Sequence, residues 1–392
     1  MSKIEQLIKE KCPDGVKYVR LKDVVNIVKG KQLNKDILLE NGLYPVINGG
    51  INPSGYWDEY NFNENMITIS QGGASAGYVN FIKGKFWAGA HCYIVIDCDK
   101  KLNYKYIYHF LKSKEKNLQT SQIGAGIPSV SLKSINSLLI PLPPIEVQEE
   151  IVRILDKFSE LEAELEAELE ARKKQYAFWV RQLIDKNEQL YSVGTLFDFK
   201  NGINKGKECF GSGNPIINYV DVYKNNKIIK EKVKGLVETN DSDLERYSCK
   251  KGDVFFTRTS ETREEVGFAS VLMNDMSSSV FSGFLLRARP ITDLLIPEYC
   301  VYCFSSPRVR RDIISHANFT TRATVTGAIL SKIKIYVPSK EEQERIVKIL
   351  DKFDKLINDI SEGIPAEIEA RRKQYEYYRN KLLSFEELKV DD

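Results

Sequence analysis

Gln148-Glu149-Glu150-Ile151-Val152-Arg153-Ile154-Leu155-Asp156-Lys157-Phe158 is written a second time as Gln343-Glu344-Arg345-Ile346-Val347-Lys348-Ile349-Leu350-Asp351-Lys352-Phe353. Downstream of each copy a second block recurs: Glu170-Ala171-Arg172-Lys173-Lys174-Gln175-Tyr176 returns as Glu369-Ala370-Arg371-Arg372-Lys373-Gln374-Tyr375. A repeat at half the chain length is too long for a solenoid, whose periods run roughly 20–50 residues. It implies two copies of one large unit, each a globular segment followed by a helix.

Working outward from the first block, the apolar residues fall at helical spacing. At about 100° per residue, Ile151, Ile154, Leu155, Phe158, Leu161, Leu165, Leu169, Tyr176, Trp179, Val180 and Leu183 lie within roughly 120° of one another. A helix of that length reaches about 60 Å at ~1.5 Å per residue, and its apolar stripe needs a partner, because propensity alone does not hold it. Its middle is a tandem four-residue motif, Leu161-Glu162-Ala163-Glu164, Leu165-Glu166-Ala167-Glu168 and Leu169-Glu170-Ala171-Arg172, whose glutamates also form a solvated acidic face. The second copy opens at Ser339 with Glu342 three residues on, a capping-box spacing. Its two blocks stand four residues further apart, since the offset between copies grows from 195 at Gln148 and Gln343 to 199 at Gln175 and Gln374. Gly363-Ile364-Pro365 should break or kink it.

Ahead of each helix the chain reads as mixed α/β with short strands. Leu21 to Val28, Tyr44 to Ile47 and Asn65 to Ser70 are strand-like, the last alternating as a half-buried strand does. A glycine-rich loop, Gln71 to Gly77, follows, then strands at Tyr78 to Phe81, Phe86-Trp87 and Tyr93 to Ile96, a helix over Tyr104 to Lys116, and an apolar run into Pro141, Pro143 and Pro144. Residues 188–338 answer this plan with weak identity. Val193 to Lys200 answers Leu21 to Lys29, Asn214-Pro215-Ile216-Ile217-Asn218 answers Tyr44-Pro45-Val46-Ile47-Asn48, Asp253 to Arg258 answers the strand ending at Ser70, and Val266 to Ala269 answers Gly77 to Val79. The second loop, Thr259 to Glu265, is polar and charged rather than glycine-rich. A further loop, Asn318 to Thr324, precedes the outgoing strand, and its counterpart is Ser121 to Ser131.

Composition narrows the function. No apolar run suits a membrane span and the N-terminus shows no apolar signal core, so a cytoplasmic protein with reduced thiols is expected. The seven cysteines are irregularly spaced, and the lone Cys300-Val301-Tyr302-Cys303 pair is weak evidence for zinc. Residues 1–144 carry 18 basic and 12 acidic side chains and residues 188–338 carry 21 and 17, against a net charge of +3 for the chain. Positive charge confined to the globular segments suits a polyanion there. Gly202-Ile203-Asn204-Lys205-Gly206-Lys207 lacks the spacing and hydroxyl of a phosphate loop. No Asn/Asp-Pro-Pro-aromatic tetrapeptide of an adenine methyltransferase occurs, and His91, His109 and His316 form no triad or metal cluster in the sequence.

Two like segments with paired helices suggest a pseudo-two-fold molecule, and duplex DNA has local two-fold symmetry of its own. Here the blocks quoted above, with Pro143-Pro144-Ile145-Glu146-Val147 ahead of the first and Tyr375 to Leu383 closing the last, resemble the DNA specificity subunit of type I restriction–modification enzymes over essentially the whole chain. The resemblance implies an α+β architecture: two mixed α/β target-recognition domains (1–144 and 188–338) separated by two long helices (145–187 and 339–385) in an antiparallel coiled coil, with an acidic tail at 386–392. It implies a non-catalytic subunit that reads a bipartite site on double-stranded DNA. It also implies two methyltransferase subunits and restriction/translocase subunits as partners, with S-adenosylmethionine, ATP and Mg2+ on those partners and no cofactor on this chain.

Direct readout draws on Arg, Lys, Asn, Gln, Ser and Thr in groove-facing loops. The candidates are Gln71, Ser75 and Tyr78, with Lys83 and Lys85 for phosphates, in the first segment. In the second they are Arg258, Thr259, Ser260, Thr262 and Arg263, joined by Thr321 and Arg322. The aromatic-basic helix ends supply Arg172, Lys174, Tyr176, Trp179, Arg371, Lys373, Tyr375 and Tyr378 for partner docking, with packing of the two helices as the alternative role. Three other readings stay open: an enzyme in its own right, a coiled-coil scaffold indifferent to DNA, and a specificity subunit of a modification-only system.

Overall fold

A computed structural model describes residues 3–120, 128–359 and 361–388. Residues 121–127 of the loop read as counterpart to Asn318–Thr324, and the tail beyond Leu388, lie outside them. The chain forms two compact units, Met1–Glu166 with Glu367–Asp392, and Ala167–Ala366. The principal helices are α1 (Lys3–Lys11), α2 (Tyr104–Thr120), α3 (Ile145–Leu183), α4 (Pro297–Ser305), α5 (Pro307–His316), α6 (Lys340–Asn358) and α7 (Ile364–Leu382). α3 contributes its first part to the first unit and the rest to the second.

In the first unit β1 (Val25–Lys29), β2 (Met66–Ser70), β3 (Val79–Ile82) and β4 (Cys92–Cys98) form an antiparallel sheet in the order β1-β4-β2-β3. Side chains alternate across the pleat. Ile67, Ile69, Tyr93 and Val95 join Tyr106, Ile107 and Phe110 of α2 in the main core, while Ile94 and Cys92 join Ile47, Phe86 and Ala88 in a smaller one. Met66–Ser70 is therefore covered on both faces, not one: the small sheet of Tyr44–Ile47, Tyr56–Trp57 and Trp87–Ala88 supplies the second cover, which local alternation does not reveal.

The second unit repeats this strand order and adds one edge strand. β5 (Phe197–Asn201), β6 (Lys227–Ile228), β7 (Val254–Thr257), β8 (Ala269–Leu272) and β9 (Leu285–Pro290) form a sheet in the order β5-β9-β7-β8-β6. Its small sheet is Phe210–Ile217 with Leu236–Val237 antiparallel and Val280–Phe281 parallel, as Tyr44–Ile47 pairs antiparallel with Tyr56–Trp57 and parallel with Trp87–Ala88. Where α2 is one helix, the second unit has two, because Ser306 caps α5 and Pro307 at its first position ends α4.

The repeated blocks tie each helix to its own globular segment. Gln148 is fully buried; its Oε1 accepts from the Asn103 amide at 2.9 Å and its Nε2 donates to the Lys101 and Pro143 carbonyls at 2.8 Å each. Gln343 accepts from Ile296 at 3.0 Å and donates to Leu294 and Pro338 at 2.7 and 2.9 Å. Asp156 accepts from Lys105 and meets His109 Nε2 at 2.9 Å; Asp351 accepts from Lys227 and Tyr302.

The helix pairing is antiparallel in the first unit: Phe158 stacks on Tyr378 at 5.4 Å, and Arg372 reaches Glu162 and Glu166 at 2.5 and 2.7 Å. In the second unit Tyr176 lies 6.5 Å from Phe353. The second repeated helix, expected as one kinked element, is two. α6 stops at Asn358, and α7 begins at Ile364 with Pro365 in its first turn, where a missing amide costs nothing. A Cβ on Gly363 would meet the Asp359 and Lys355 carbonyls at 2.6 and 2.7 Å, so only glycine closes this junction. Ser339 caps α6 by accepting from the Glu342 amide, but the Glu342 carboxylate turns to Arg345 instead of back to the cap. Trp179, placed on the buried stripe by sequence, is 40% exposed, because Val180, Leu183 and Ile184 are the residues that enter the core.

Glu386–Leu388, read as part of a tail, are paired. The Val16 amide donates to the Glu386 carbonyl at 2.8 Å, Leu388 donates back to Val16 at 2.9 Å, and Tyr18 donates to the Phe385 carbonyl. Gly15, at φ +91°, passes so close that a Cβ would lie 2.5 Å from the Glu386 oxygen.

Candidate nucleic-acid interface

Each unit carries the same composite surface, built where the chain leaves its central strand. In the first unit Ser70 donates to the Tyr78 carbonyl and accepts from Gly77; Gln71 donates to His91 and accepts from Val130. In the second, Thr257 donates to Phe268 and accepts from Gly267; Arg258 donates to Phe284 and accepts from Val325. All eight bonds are backbone bonds of 2.8–3.0 Å. Gln71 and Arg258 thus occupy one structural position. The loops read separately in sequence come together there: Thr259–Ser260 pairs with Ala323–Thr324, which pairs with Asn318–Phe319, while Gly72 bridges Ser129.

The second unit's candidates divide by exposure. Thr262, Arg263, Thr321 and Arg322 are exposed, and Arg263 lies over the exposed Phe319 ring at 4.7 Å. Thr259 and Arg258 are half-buried. Ser260 is buried: its hydroxyl donates to Glu265 and accepts from the Thr262 amide, shaping the loop from within. Glu265 is also held by Tyr223 at 2.7 Å, and these hydrogen bonds keep its carboxyl below the usual range. Glu261 and Glu264 stay exposed, which disfavours this loop as a phosphate cradle and suits it to base edges, where a carboxylate accepts from a cytosine amino group.

In the first unit Gln71 and Ser75 are half-buried, and the Ser75 carbonyl accepts from the Tyr78 amide in the turn. Tyr78 is not free to reach outward, since Lys112 of α2 sits over its ring at 4.2 Å and donates to the Val79 carbonyl. Arg310 of α5 does the same at Phe268: it lies 4.5 Å over the ring and donates to the carbonyls of Glu264, Val266 and Gly267. Burial lowers the Arg310 guanidinium to about 10. A cation from the helix thus clamps the root of each loop. Lys83 is exposed; Lys85 is exposed and donates to Tyr60 at 3.1 Å.

The helix candidates also divide. Tyr375 donates or accepts at His109 Nδ1 (3.0 Å), and burial raises its hydroxyl; Tyr176 packs beside Phe353, and burial pushes it to about 12. Both are engaged inside their own units. Arg172, Lys174, Arg371 and Lys373 lie on the helix surface, the arginines paired one turn back with Glu168 and Glu367 and Lys373 with Glu369. Beside them stand two equivalent aromatic pairs. Phe178 and Trp179 are 55% and 40% exposed with rings 5.6 Å apart, and Tyr377 and Tyr378 are 62% and 41% exposed at 5.3 Å.

Phe178 and Tyr377 lie inside the helix ends read as docking stretches, Arg172 to Trp179 and Arg371 to Tyr378, but were not singled out, and Phe284, Phe319, Lys112 and Arg310 were missed as site residues. The offset of 199 between the second blocks, carried two residues past each tyrosine, would have found the first two. Among the described residues no group of three or more His, Cys, Asp or Glu is placed to hold a metal, and no helix is long and apolar enough to cross a membrane. Cys300 and Cys303 are buried on α4, with burial pushing the Cys303 thiol to about 12.

Residues 13–171 and 186–370 match the family described as type I restriction modification DNA specificity domain. The chain is 30% identical to a Haemophilus influenzae protein named as a putative type I restriction enzyme specificity subunit, covering 96% of this chain and 98% of that one. It is 33% identical to the Escherichia coli EcoR124I/EcoR124II specificity subunit over 74% of each. A crystal structure of a type I restriction–modification S subunit from M. genitalium shares the fold at TM-score 0.56 and 18% identity, covering 94% of this chain and 96% of that one. So does a chain from a study of complex assembly and conformational transition of the type I system, at TM-score 0.58 and 16% identity over 95% and 98%.

Proposed function

The chain belongs to the family of type I restriction–modification DNA specificity subunits, and from that premise we propose that each of its units reads one half of a bipartite duplex target. The observation that carries this is the duplicated composite surface at Gln71 and Arg258, the same main-chain frame with different side chains. Two frames alike in backbone and unlike in side chain suit two half-sites of different sequence. The basic excess of both globular segments supplies the phosphate attraction that precedes base readout.

In this reading the chain performs no reaction. S-adenosylmethionine, ATP and Mg2+ belong to partner subunits, and the two exposed aromatic pairs, Phe178-Trp179 and Tyr377-Tyr378, dock two copies of one methyltransferase subunit. Exposed aromatics beside arginines are the usual anchors of protein interfaces, and two equal pairs suit two equal partners. Restriction/translocase subunits complete the assembly, and the α3 middle sets the spacer. The test is exchange of residues 188–338 for the corresponding segment of another specificity subunit, followed by mapping of the methylated motif in cells that supply the methyltransferase. One half-site should change while the other is kept. A motif that stays whole, or changes in both halves, refutes the reading.

A further inference from the structure

Gln71 and Arg258 hold one position in two copies of the same frame, and the frame treats that position unlike any other in the loop. Both main-chain groups of the residue are bonded, and to different segments. The amide goes to the residue at the end of the small-sheet crossover (His91, Phe284), and the carbonyl takes the amide entering the outgoing segment (Val130, Val325). Three stretches of chain therefore fix its Cα, with the clamps of Lys112 and Arg310 at the loop root behind it. A side chain projecting from such a point is held to the accuracy that base readout needs.

The side chains themselves are left without partners among the described residues. The second unit's other enclosed arginines each hold at least one protein partner: Arg287 donates to the Ser248 carbonyl at 2.6 Å, Arg289 grips Asp253, Arg308 donates to the Lys334 carbonyl, and Arg310 takes three carbonyls, although Arg287 Nε and Arg308 Nε and Nη2 stay unpartnered among the described residues. The Arg258 guanidinium, half-buried, makes no hydrogen bond or ion pair among the described residues. The Gln71 amide likewise has a buried Oε1 with no partner among them. The Arg258 nitrogens, unpartnered, stay in contact with water and are free to meet an incoming group, while Gln71 Oε1, withdrawn from water without a partner at a cost, gains one when the amide turns out to a base edge. Phe284, whose carbonyl accepts from the Arg258 amide, is 65% exposed and brings an apolar ring to the same surface for a base edge or a thymine methyl.

We propose that this single structural position is the principal specificity determinant of each half-site, with Arg258 taking a guanine and Gln71 an adenine through two parallel hydrogen bonds in the major groove. The inference rests on the DNA-reading function proposed above and goes past it by naming one residue per unit.

The full chain carrying Arg258→Gln, and separately Gln71→Arg, is expressed with its methyltransferase partner, and the methylated motif is mapped. Arg258→Gln should turn one G·C pair into A·T in one half-site, Gln71→Arg should do the reverse in the other, and the spacer and remaining pairs should persist. An unchanged motif overturns the proposal, as does a change at several pairs or in both halves. Should a variant not methylate, Arg258→Lys, which keeps the charge and loses the fork, is assayed for binding to duplexes that each alter one base pair. Discrimination at one position should fall by roughly 5- to 100-fold. An equal loss on every duplex overturns the assignment. If exchange of residues 188–338 moves a half-site and Arg258→Gln does not, the residue assignment falls and the unit reading survives. If the exchange moves nothing, the unit reading itself falls.

Discussion

Gln148→Met and Gln343→Met are the most direct test of the duplication. Each glutamine is fully buried and makes three hydrogen bonds to main-chain groups, at 2.8–2.9 Å for Gln148 and 2.7–3.0 Å for Gln343. Methionine matches the length and volume, so little cavity is created. What is lost is three bonds of about 1 kcal/mol net each, leaving one buried carbonyl and a part-buried amide and carbonyl without them. Allowing for the apolar gain of methionine, the expected loss is about 3 kcal/mol per variant. Two units need not unfold in one step, so a single melting temperature is the wrong readout. Hydrogen exchange resolved by peptide is the right one. Gln148→Met should raise the opening constant of α2 and β2 about 150-fold, since each 1.4 kcal/mol is tenfold. Gln343→Met should do the same to α4 and β7. A loss under about 1 kcal/mol in either case would mean that these bonds are replaceable by water and that the motif's glutamine is not what seats the helix.

Four further outcomes are expected. Burial holds the His109 imidazole below its ordinary value despite Asp156, so the folded state keeps it neutral; the stability it preserves is full above the unfolded value of about 6.5 and is lost as pH falls from there toward the lower folded value. His109→Tyr, which copies Tyr302 of the second unit, should remove that acid-side loss from the first unit, as read by exchange at about pH 5.5 and 7.5. Arg310→Ala leaves three carbonyls without their donor and should cost about 2–4 kcal/mol locally, speeding exchange across residues 264–268 and weakening duplex binding; unchanged exchange there refutes the clamp. Paired alanines at Phe178-Trp179 or at Tyr377-Tyr378 should each remove one of two methyltransferase copies from the complex on native mass spectrometry, and two retained copies would refute the docking assignment. Insertion of one Leu-Glu-Ala-Glu unit after Glu168 adds about 6 Å and a turn of about 40° beyond a full revolution, and should alter the spacer with both half-sites intact; an unchanged spacer in the methylation map counts against it.

The helices were legible in the sequence and the globular segments were faint, and the bonds explain the difference. The helix blocks act through side chains. Gln148 and Gln343 reach main-chain groups about 45 residues upstream, Asp156 and Asp351 accept from the helix beneath, and Tyr375 reaches His109. Few residue types can make those bonds, so the two copies are spelled alike. The recognition frames act through the main chain. The bonds joining Ser70 to Tyr78 and Gln71 to Val130 recur at Thr257, Phe268, Arg258 and Val325 with every one of those side chains except valine changed. Backbone groups bond alike whatever they carry, so a surface framed this way can exchange its side chains while keeping its shape. Positions where geometry restricts the residue stay recognisable, as at Gly77 and Gly267 at φ +90° and +66°, each at the turn into the next strand. The same logic hid Trp179's exposure and the pairing of Glu386–Leu388, since neither depends on a side-chain pattern that a local reading can detect. A protein that must present different residues to different targets on one scaffold is served by this division, with identity kept in the side chains that join helix to lobe and variation allowed where backbone alone holds the frame.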